Sequence, residues 1–202
     1  IVRDKKYLKH NFPEVDFTKW NYRDYNIDDF IPAAEELTKL GYFVFRMGKI
    51  SEKRLNTNNN MIIDYSFSDL KSDFLDIFLG ANCEFCLSTD VGYDHIPYIF
   101  RRPLASITDP ISLMKFSSKK FLNIFSLYYS KTEKKYLTLN QIFNFNLAYF
   151  NSSQDLYDAK IKIINPGPNE IKDFVIEMVN YIKNDFKLKE VDENLNKQFF
   201  KV

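Results

Sequence analysis

Polar and charged side chains follow five short apolar runs of this sequence, at the point where each run ends. The five ends are Arg3-Asp4, Arg46-Met47-Gly48, Asp64-Tyr65-Ser66, Ser88-Thr89-Asp90 and Thr108-Asp109-Pro110. Ligands of open α/β sheets bind outside the carboxyl ends of the strands. If each run is a strand of one sheet, these side chains are expected to line a single crevice.

Binding of a phosphorylated ligand is the chemistry that best fits the residue types at these ends. Arg3 and Arg46 are suited to clamp a diphosphate, because a guanidinium group forks onto phosphate oxygens. Asp64 or Asp90 is suited to accept a hydrogen bond from a ribose or sugar hydroxyl. Each residue also has a structural interpretation, such as pairing of Arg3 with a neighbouring acid or capping of a loop by Asp64.

The turn "STDVG", residues 88–92, precedes a predicted helix. The amino terminus of a helix favours an anion, and Gly92 would let the backbone approach a ligand closely. Asp90 brings a negative charge to the same place. Either Asp90 faces a sugar hydroxyl, or this turn does not bind the phosphates. The structural interpretation of Ser88, Thr89 and Asp90 is an ordinary N-cap segment.

The composition limits the classes of function. Lys and Arg number 28 against 27 Asp and Glu, a net charge of +1, and no basic stripe typical of a nucleic-acid-binding protein is present. The sequence has no run of about 18 uncharged apolar residues, so it does not predict a membrane span. The Walker, dinucleotide-binding and nucleophile-elbow glycine patterns are absent from the sequence.

The two cysteines, Cys83 and Cys86, are spaced C-x-x-C. A redox motif is expected where a strand enters a helix, and here the pair runs from a predicted helix end into a strand. A zinc site needs about four ligands, and neither His10 nor His95 has the required spacing. We therefore expect two inert thiols, which fit a reducing cytoplasmic location.

The order of elements predicts an α/β fold. Helices are predicted over 26–41, 68–83 and 90–102, the last one short because of Pro97, and strands over 2–4, 42–47, 61–66, 84–88 and 103–108. Phe74, Ile77 and Phe78 are predicted to form the inner face of the second helix. This alternation indicates a Rossmann-like, doubly wound, mainly parallel sheet of about five to six strands with flanking helices.

The pattern is weaker after Pro110. Residues 112–130 are compatible with a helix or with irregular structure, Thr138 or Asn140 is predicted to cap a short helix, and residues 165–186 read as a strong helix. The charged residues 185–202 are predicted to form a surface strap. We expect one domain over 1–202. Its start resembles the middle of a strand, so a preceding partner domain is expected to be missing.

Four segments carry a resemblance to a known family. They are "VRDKKYL", "NYRDYNIDDFIPAAEELTKLGYFVFRMGK", "MIIDYSFSDLKSDFLDIFLGANCEFCLSTDVGYDHIP" and "RRPLASIT". Their R-D-x-x-Y, N-[YH]-R-[DN]-x-x-I, R-M-G, D-Y and P-x-x-F motifs resemble those of bacterial glycosyltransferases of GT-B-like architecture, which are associated with surface-polysaccharide gene clusters. The resemblance covers residues 1–110 and the helix "NPGPNEIKDFVIEMVNYI"; residues 111–160 match poorly.

The resemblance implies that this chain is the carboxyl-terminal, donor-binding domain of the two Rossmann-like domains of such an enzyme. Donor phosphates would lie at Arg3, Arg46, Ser88, Thr89 and Gly92. The base or ribose would lie near Asp64 and Tyr65. The implied nucleotide-sugar site is completed by Asp4, Gly48 and Asp90. The chain departs from the family at Thr89-Asp90-Val91, where many members have a turn rich in glycine and serine.

The expected reaction transfers a sugar from a nucleotide sugar to a glycan or lipid-linked acceptor in the cytoplasm. No metal or other cofactor is expected, because positive side chains and a helix dipole can stabilise the departing diphosphate. No catalytic residue is assigned. The alternative is a non-catalytic α/β module that contacts partner proteins through an exposed apolar patch. A sugar-nucleotide epimerase would need acids and a histidine in the cleft, for which the candidates are Asp64, Asp90 and His95.

Overall fold

The computed structural model describes residues 1–108, 118–150, 152–188 and 190–199. Its helices are α1 (Lys5–Asn11), α2 (Ile31–Lys39), α3 (Asp73–Asn82), α4 (His95–Ile99), α5 (Leu139–Asn144), α6 (Ser153–Asp158), α7 (Pro168–Lys183) and α8 (Glu190–Phe199). Its strands are β1 (Val44–Phe45), β2 (Ile62–Ile63), β3 (Cys86–Ser88), β4 (Leu104–Thr108), β5 (Phe121–Phe125), β6 (Leu127–Ser130), β7 (Lys135–Tyr136) and β8 (Ile161–Ile164).

The strands form three sheets within the described residues. β1 pairs with β2 in parallel, and β3, β4 and β5 form a second parallel sheet in that order. β7, β6 and β8 form an antiparallel sheet. The predicted α/β class with parallel pairing is confirmed. Among the described residues the parallel strands form sheets of two and three strands, fewer than the predicted five to six, and β1 and β2 run for just two residues each.

The main core lies between the parallel strands and helices α2 and α7. β4 is buried along its whole length, as expected of a central parallel strand covered on both faces. Helix α7 buries the predicted apolar stripe, and Val175, Met178 and Val179 are fully buried. Ala33 and Leu37 of α2 pack in the same cluster. Both helices were expected from their apolar spacing, and both are confirmed.

The helix predicted over 26–41 forms as a 3₁₀ turn followed by α2, so its signals mark the ends of the helical segment and α2 itself begins five residues after Asn26. The Asn26 side chain accepts a hydrogen bond from the amide of Asp28, at the start of a 3₁₀ turn over Ile27–Phe30 that leads into the helix. Gly41 follows the last turn with φ of +90°, a conformation that glycine adopts without a steric penalty.

Helix α3 departs from its predicted orientation. Ser72 caps it through a hydrogen bond from the Leu75 amide. Phe74 is 71% exposed, and Ile77 and Phe78 are about half exposed, so the prediction that these three side chains form an inner face is wrong. A helical apolar spacing reports a shared face, and it does not report what covers that face.

Residues 121–164 build a second core, which contains Tyr128, Ile142, Leu147, Leu156 and Ile161. Helix α5 starts with a Thr138–Gln141 capping box. Of the two predicted caps, Thr138 and Asn140, it is Thr138 that caps the helix. Residues 121–130, expected to be helical or irregular, instead form β5 and β6. The predicted strap over 185–202 contains helix α8; residues 200–202 lie outside the described residues.

Within the part of the chain that the structure describes, no helix combines the length and the apolar character needed to cross a membrane.

Candidate functional site

Arg46, at the end of β1, is held between two carboxylates. Its Nη1 donates to Asp64 Oδ1 at 3.0 Å and to the Lys53 carbonyl at 3.2 Å. Its Nη2 lies 3.8 Å from Asp4 Oδ2. The Arg46 side chain is only 8% exposed, so the positive charge is compensated inside the fold. We call Arg46, Asp4 and Asp64 the Arg46 cluster.

The two carboxylates of the Arg46 cluster also anchor backbone. Asp4 Oδ1 accepts from the Lys6 amide and caps α1, while its Oδ2 accepts from the Glu52 amide at 3.0 Å. Asp64 Oδ2 accepts from the Leu55 amide at 2.9 Å. The cluster therefore joins the amino-terminal segment, the loop between β1 and β2, and the end of β2.

Arg3 is held in a comparable way beside the end of β3. Its backbone amide donates to Thr89 Oγ1 at 3.0 Å. Its guanidinium group contacts Asp24 Oδ1 at 3.1 Å and donates to the Trp20 carbonyl. Lys5 Nζ lies 3.0 Å from the other oxygen of Asp24. The structure therefore pairs both arginines of the predicted diphosphate clamp with carboxylates of the chain.

The turn after β3 is tied down on both sides. Ser88 Oγ donates to Asp94 Oδ2 at 2.8 Å, and both groups are buried. Asp90 has φ of +59°, in the left-handed region that aspartate tolerates better than most residues. Arg23 Nη2 donates to the Asp90 carbonyl at 2.8 Å and lies 3.5 Å from its carboxylate. The charge of Asp90, unexpected beside a phosphate, therefore faces an arginine.

Gly92 starts the 3₁₀ turn that leads into α4 and is exposed. A Cβ added at Gly92 would meet no atom within 4 Å, so open space lies beside the backbone here. His95 Nδ1 lies 3.2 Å from the Gly92 carbonyl and 3.3 Å from Asp94 Oδ1. Its side chain is more than half exposed and faces the solvent at this turn.

Gly48 and Tyr65 serve packing. A Cβ at Gly48 would lie 3.1 Å from Ser51 Oγ and 3.2 Å from Ser66 Oγ, and these two hydroxyls are hydrogen-bonded to each other. Tyr65 is 3% exposed; its hydroxyl lies 3.2 Å from the Ser72 amide at the start of α3. Burial raises the pKa of the Tyr65 phenol above its usual value.

The structure brings most of the predicted site residues to one edge of the parallel sheets. Thr89 bonds the backbone of Arg3, and the next residue, Asp4, belongs to the Arg46 cluster. Asp90 is reached through Arg23. Tyr65 is buried beneath α3. Thr108 ends β4 and is buried, and Asp109 and Pro110 lie outside the described residues.

Sequence reasoning missed the partners that neutralise this edge. Arg23 and Asp24 stand in the N-[YH]-R-[DN] motif of the resemblance, but no role followed from it. The carbonyls of Trp20 and Lys53 carry no side-chain signal at all. Only the motif, by placing an Arg-Asp pair in an otherwise unpatterned loop, pointed to this segment.

A mainly apolar cavity of about 460 Å³ lies behind this edge, between β1 and β3. Ile1, Val44, Phe45, Phe85 and Leu87 are among the residues that line it. Arg46 lines it at the carboxyl end of β1, and Asn82 and Glu84 are among its polar lining residues.

Cys83 and Cys86 are not joined in a disulfide. Burial raises the pKa of the Cys83 thiol and raises that of Cys86 to about 12. Because the thiolate is the reactive form, these pKa values agree with the expectation of two inert thiols, which stays a prediction about reactivity.

Across residues 1–108, 118–150, 152–188 and 190–199, no group of three or more His, Cys, Asp or Glu side chains is arranged to hold a metal ion. Comparisons with protein-family models, with curated proteins and with solved structures gave no match.

Proposed function

We propose that this chain is the donor-binding domain of a cytoplasmic glycosyltransferase of GT-B-like architecture, which transfers a sugar from a nucleotide sugar to a surface-polysaccharide or other glycan acceptor. In this proposal the parallel strands belong to a Rossmann-like, doubly wound domain. The observation that carries the proposal is the meeting of Arg3, Asp4, Arg46, Asp64 and Thr89 at the carboxyl ends of parallel strands. This edge is where such sheets bind their ligands.

The burial and pairing of each arginine indicate which of them would contact the donor. Arg3 and Arg46 are about nine-tenths buried and already satisfied, so their role is to position the surrounding loops. Arg23 is 31% exposed and contacts Asp90 at the turn beside Gly92. A diphosphate over Gly92 would take the place of the Asp90 carboxylate at the Arg23 guanidinium group, whose fork fits phosphate oxygens.

The test is calorimetric titration of the chain with UDP-, GDP-, ADP- and CMP-sugars. We expect one nucleotide class to bind, and we expect Gly92→Val and Arg23→Gln to weaken that binding at least tenfold. Gly92→Val fills open space and leaves the fold intact, so its melting temperature should match that of the parent chain. Lys39→Ala is the matched control. Lys39 lies in the last turn of α2, which leads into the start of β1 and not to the Gly92 turn, so this variant should bind normally. No binding in the whole panel, or equal binding by all variants, contradicts the proposal.

A second candidate, a non-catalytic α/β module, is favoured by a different observation. Helix α3 turns Phe74, Ile77 and Phe78 to the solvent, and the rings of Phe74 and Phe78 stack at 5.8 Å. Exposed apolar patches of this kind mark surfaces that bind other proteins. Phe74→Glu would then abolish association with an apolar partner surface while leaving nucleotide-sugar binding unchanged. Binding of no nucleotide sugar, together with self-association that Phe74→Glu removes, would favour this candidate.

A further inference from the structure

Helix α1 and the loop that follows it, residues 5–20, form an exposed surface on which charged and apolar side chains are separated. Six of the seven residues of α1 are exposed, and Leu8 is partly buried. At about 3.6 residues per turn, the three lysines and His10 of the helix fall on one side. Tyr7, Leu8 and Asn11 fall on the other. The helix is therefore amphipathic, although it is short.

The apolar side of α1 continues into the loop. The Phe12 amide donates to the Leu8 carbonyl at 3.0 Å, so Phe12 lies one turn beyond Leu8. Phe12 is 50% exposed and Val15 is 44% exposed. The ring of Phe17 lies 6.2 Å from that of Phe12 and 5.7 Å from that of Trp20. These contacts join the aromatic side chains into one continuous row.

Three lysines beside this row have no carboxylate partner among the described residues. Lys6 and Lys9 are exposed and make no ion pair there. Lys19 Nζ lies 4.0 Å from the centre of the Trp20 ring, an arrangement in which the ammonium group keeps its charge and contacts the aromatic face. Cations and aromatic rings are therefore adjacent. We call this set the α1 surface: Lys6, Tyr7, Lys9, Phe12, Val15, Lys19 and Trp20.

The carboxylates near the α1 surface are Asp4, Glu14, Asp16 and Asp24. Asp4 and Asp24 are engaged with arginines of the carboxyl edge. Asp16 accepts from the amide and the hydroxyl of Thr18. Glu14 is exposed and, with Asp16, reduces the positive charge of the surface without forming an ion pair with its lysines. Binding through this surface therefore needs the apolar row as well as the lysines.

The α1 surface is fixed to the fold at both ends. Asp4, in the Arg46 cluster, caps α1. Arg3 donates to the Trp20 carbonyl, and Lys5 pairs with Asp24 just beyond the loop. A partner would therefore meet side chains whose backbone is already ordered, which lowers the entropic cost of binding.

We propose that the α1 surface binds the interface of a lipid bilayer that contains anionic lipids. Amphipathic helices with lysines on one side and aromatic or aliphatic residues on the other lie in the plane of that interface. The lysines are attracted to anionic headgroups, and tyrosine and tryptophan favour the headgroup level because their side chains combine an apolar body with a polar group. The inference does not rest on the proposed function, because it involves neither a nucleotide sugar nor the turn at Gly92.

Cosedimentation with vesicles tests the two contributions separately. Vesicles of phosphatidylcholine alone are compared with vesicles of equal parts phosphatidylcholine and phosphatidylglycerol. Binding strength grows with the apolar area inserted and with the attraction to anionic lipids. We therefore expect at least tenfold tighter binding to the anionic vesicles. We expect at least tenfold weaker binding to them by Phe12→Ser and by the double variant Lys6→Glu, Lys9→Glu.

The controls carry the same changes elsewhere. Phe145 is 53% exposed and follows the last turn of α5, as Phe12 follows α1, so Phe145→Ser is the match for Phe12→Ser. Lys162→Glu with Lys183→Glu changes the net charge by the same amount at exposed positions. Both controls should bind as the parent chain does. Sedimentation with no vesicle, equal binding to both vesicle types, or equal losses in variants and controls overturns the proposal.

Trp20, the single tryptophan of the chain, reports directly on whether the α1 surface makes the contact. Its fluorescence emission should shift to shorter wavelength when the anionic vesicles are added, and brominated phosphatidylcholine in those vesicles should quench it. Binding in sedimentation without either change overturns the proposal, since another surface then makes the contact. So does self-association that Phe12→Ser removes while vesicle binding persists, because the apolar row then serves a second copy of the chain.

Discussion

Arg46 Nη1 lies 3.0 Å from Asp64 Oδ1, at a side chain that is 8% exposed. The pair closes the edge at which an α/β sheet is expected to bind a ligand, and Asp4 approaches the same guanidinium group from the other side. Arg46, which the sequence predicts to bind a phosphate, is thus a fixed part of the fold. Its removal is expected to lower the free energy of unfolding.

Loss of one partner in the Arg46 cluster should destabilise the chain strongly. Arg46→Met leaves two carboxylates facing each other with reduced compensation, and removing one partner of a buried ion pair costs about 3–5 kcal/mol. Urea denaturation measures the free energy of unfolding. Lys49→Ala removes an ion pair to Asp73 whose side chains are 66% and 90% exposed, and should have little effect. Equal losses in the two variants would contradict the structural role of Arg46.

The thiols should react slowly in the folded chain. A pKa raised from 9.0 to about 12 lowers the thiolate fraction of Cys86 about a thousandfold. In a Cys83→Ser chain, alkylation by iodoacetamide at pH 8 should therefore be slower than in denaturant by two to three orders of magnitude. Mass spectrometry of the alkylated fraction over time gives both rates. Similar rates would show that Cys86 is accessible as a thiolate.

Alanine should destabilise the chain at Gly48 and leave its stability nearly unchanged at Gly92. Gly48→Ala places a methyl group 3.1 Å from Ser51 Oγ in a buried hydrogen-bonded pair, and overpacking of this kind costs about 1–3 kcal/mol. Gly92→Ala meets no atom within 4 Å and should change stability by less than about 0.5 kcal/mol. Thermal unfolding compares the two variants. A smaller loss for Gly48→Ala than for Gly92→Ala would contradict the packing described at Gly48.

The elements that the sequence predicts well are those with a local signal at each end. Asn26 and Gly41 bound the helical segment around α2, and Pro168 starts α7, because caps and breakers act within a few residues. The run over 121–130 has no such signals, and its apolar spacing fits more than one structure. Its strand form depends on pairing with β4 and β8, which the sequence does not display.

The candidate site was predictable in its location and not in its electrostatics. Polar residues after apolar runs do converge at one edge, as the topology of parallel strands requires. The pairing of Arg3 with Asp24 and of Arg23 with Asp90 depends on how the loop over 12–26 crosses that edge. A loop without periodicity carries no local signal for such a path.

The 3₁₀ segment Thr18–Arg23 connects the second core to the edge of the parallel sheet. Tyr22 packs against the second core, while Arg23 bonds the Asp90 carbonyl at the edge of the parallel sheet. In thermodynamic terms the segment is a linkage element. If displacement of Arg23 from Asp90 by a ligand shifted the contacts around Tyr22, loosening the second core would by reciprocity alter affinity at the sheet edge by the same factor.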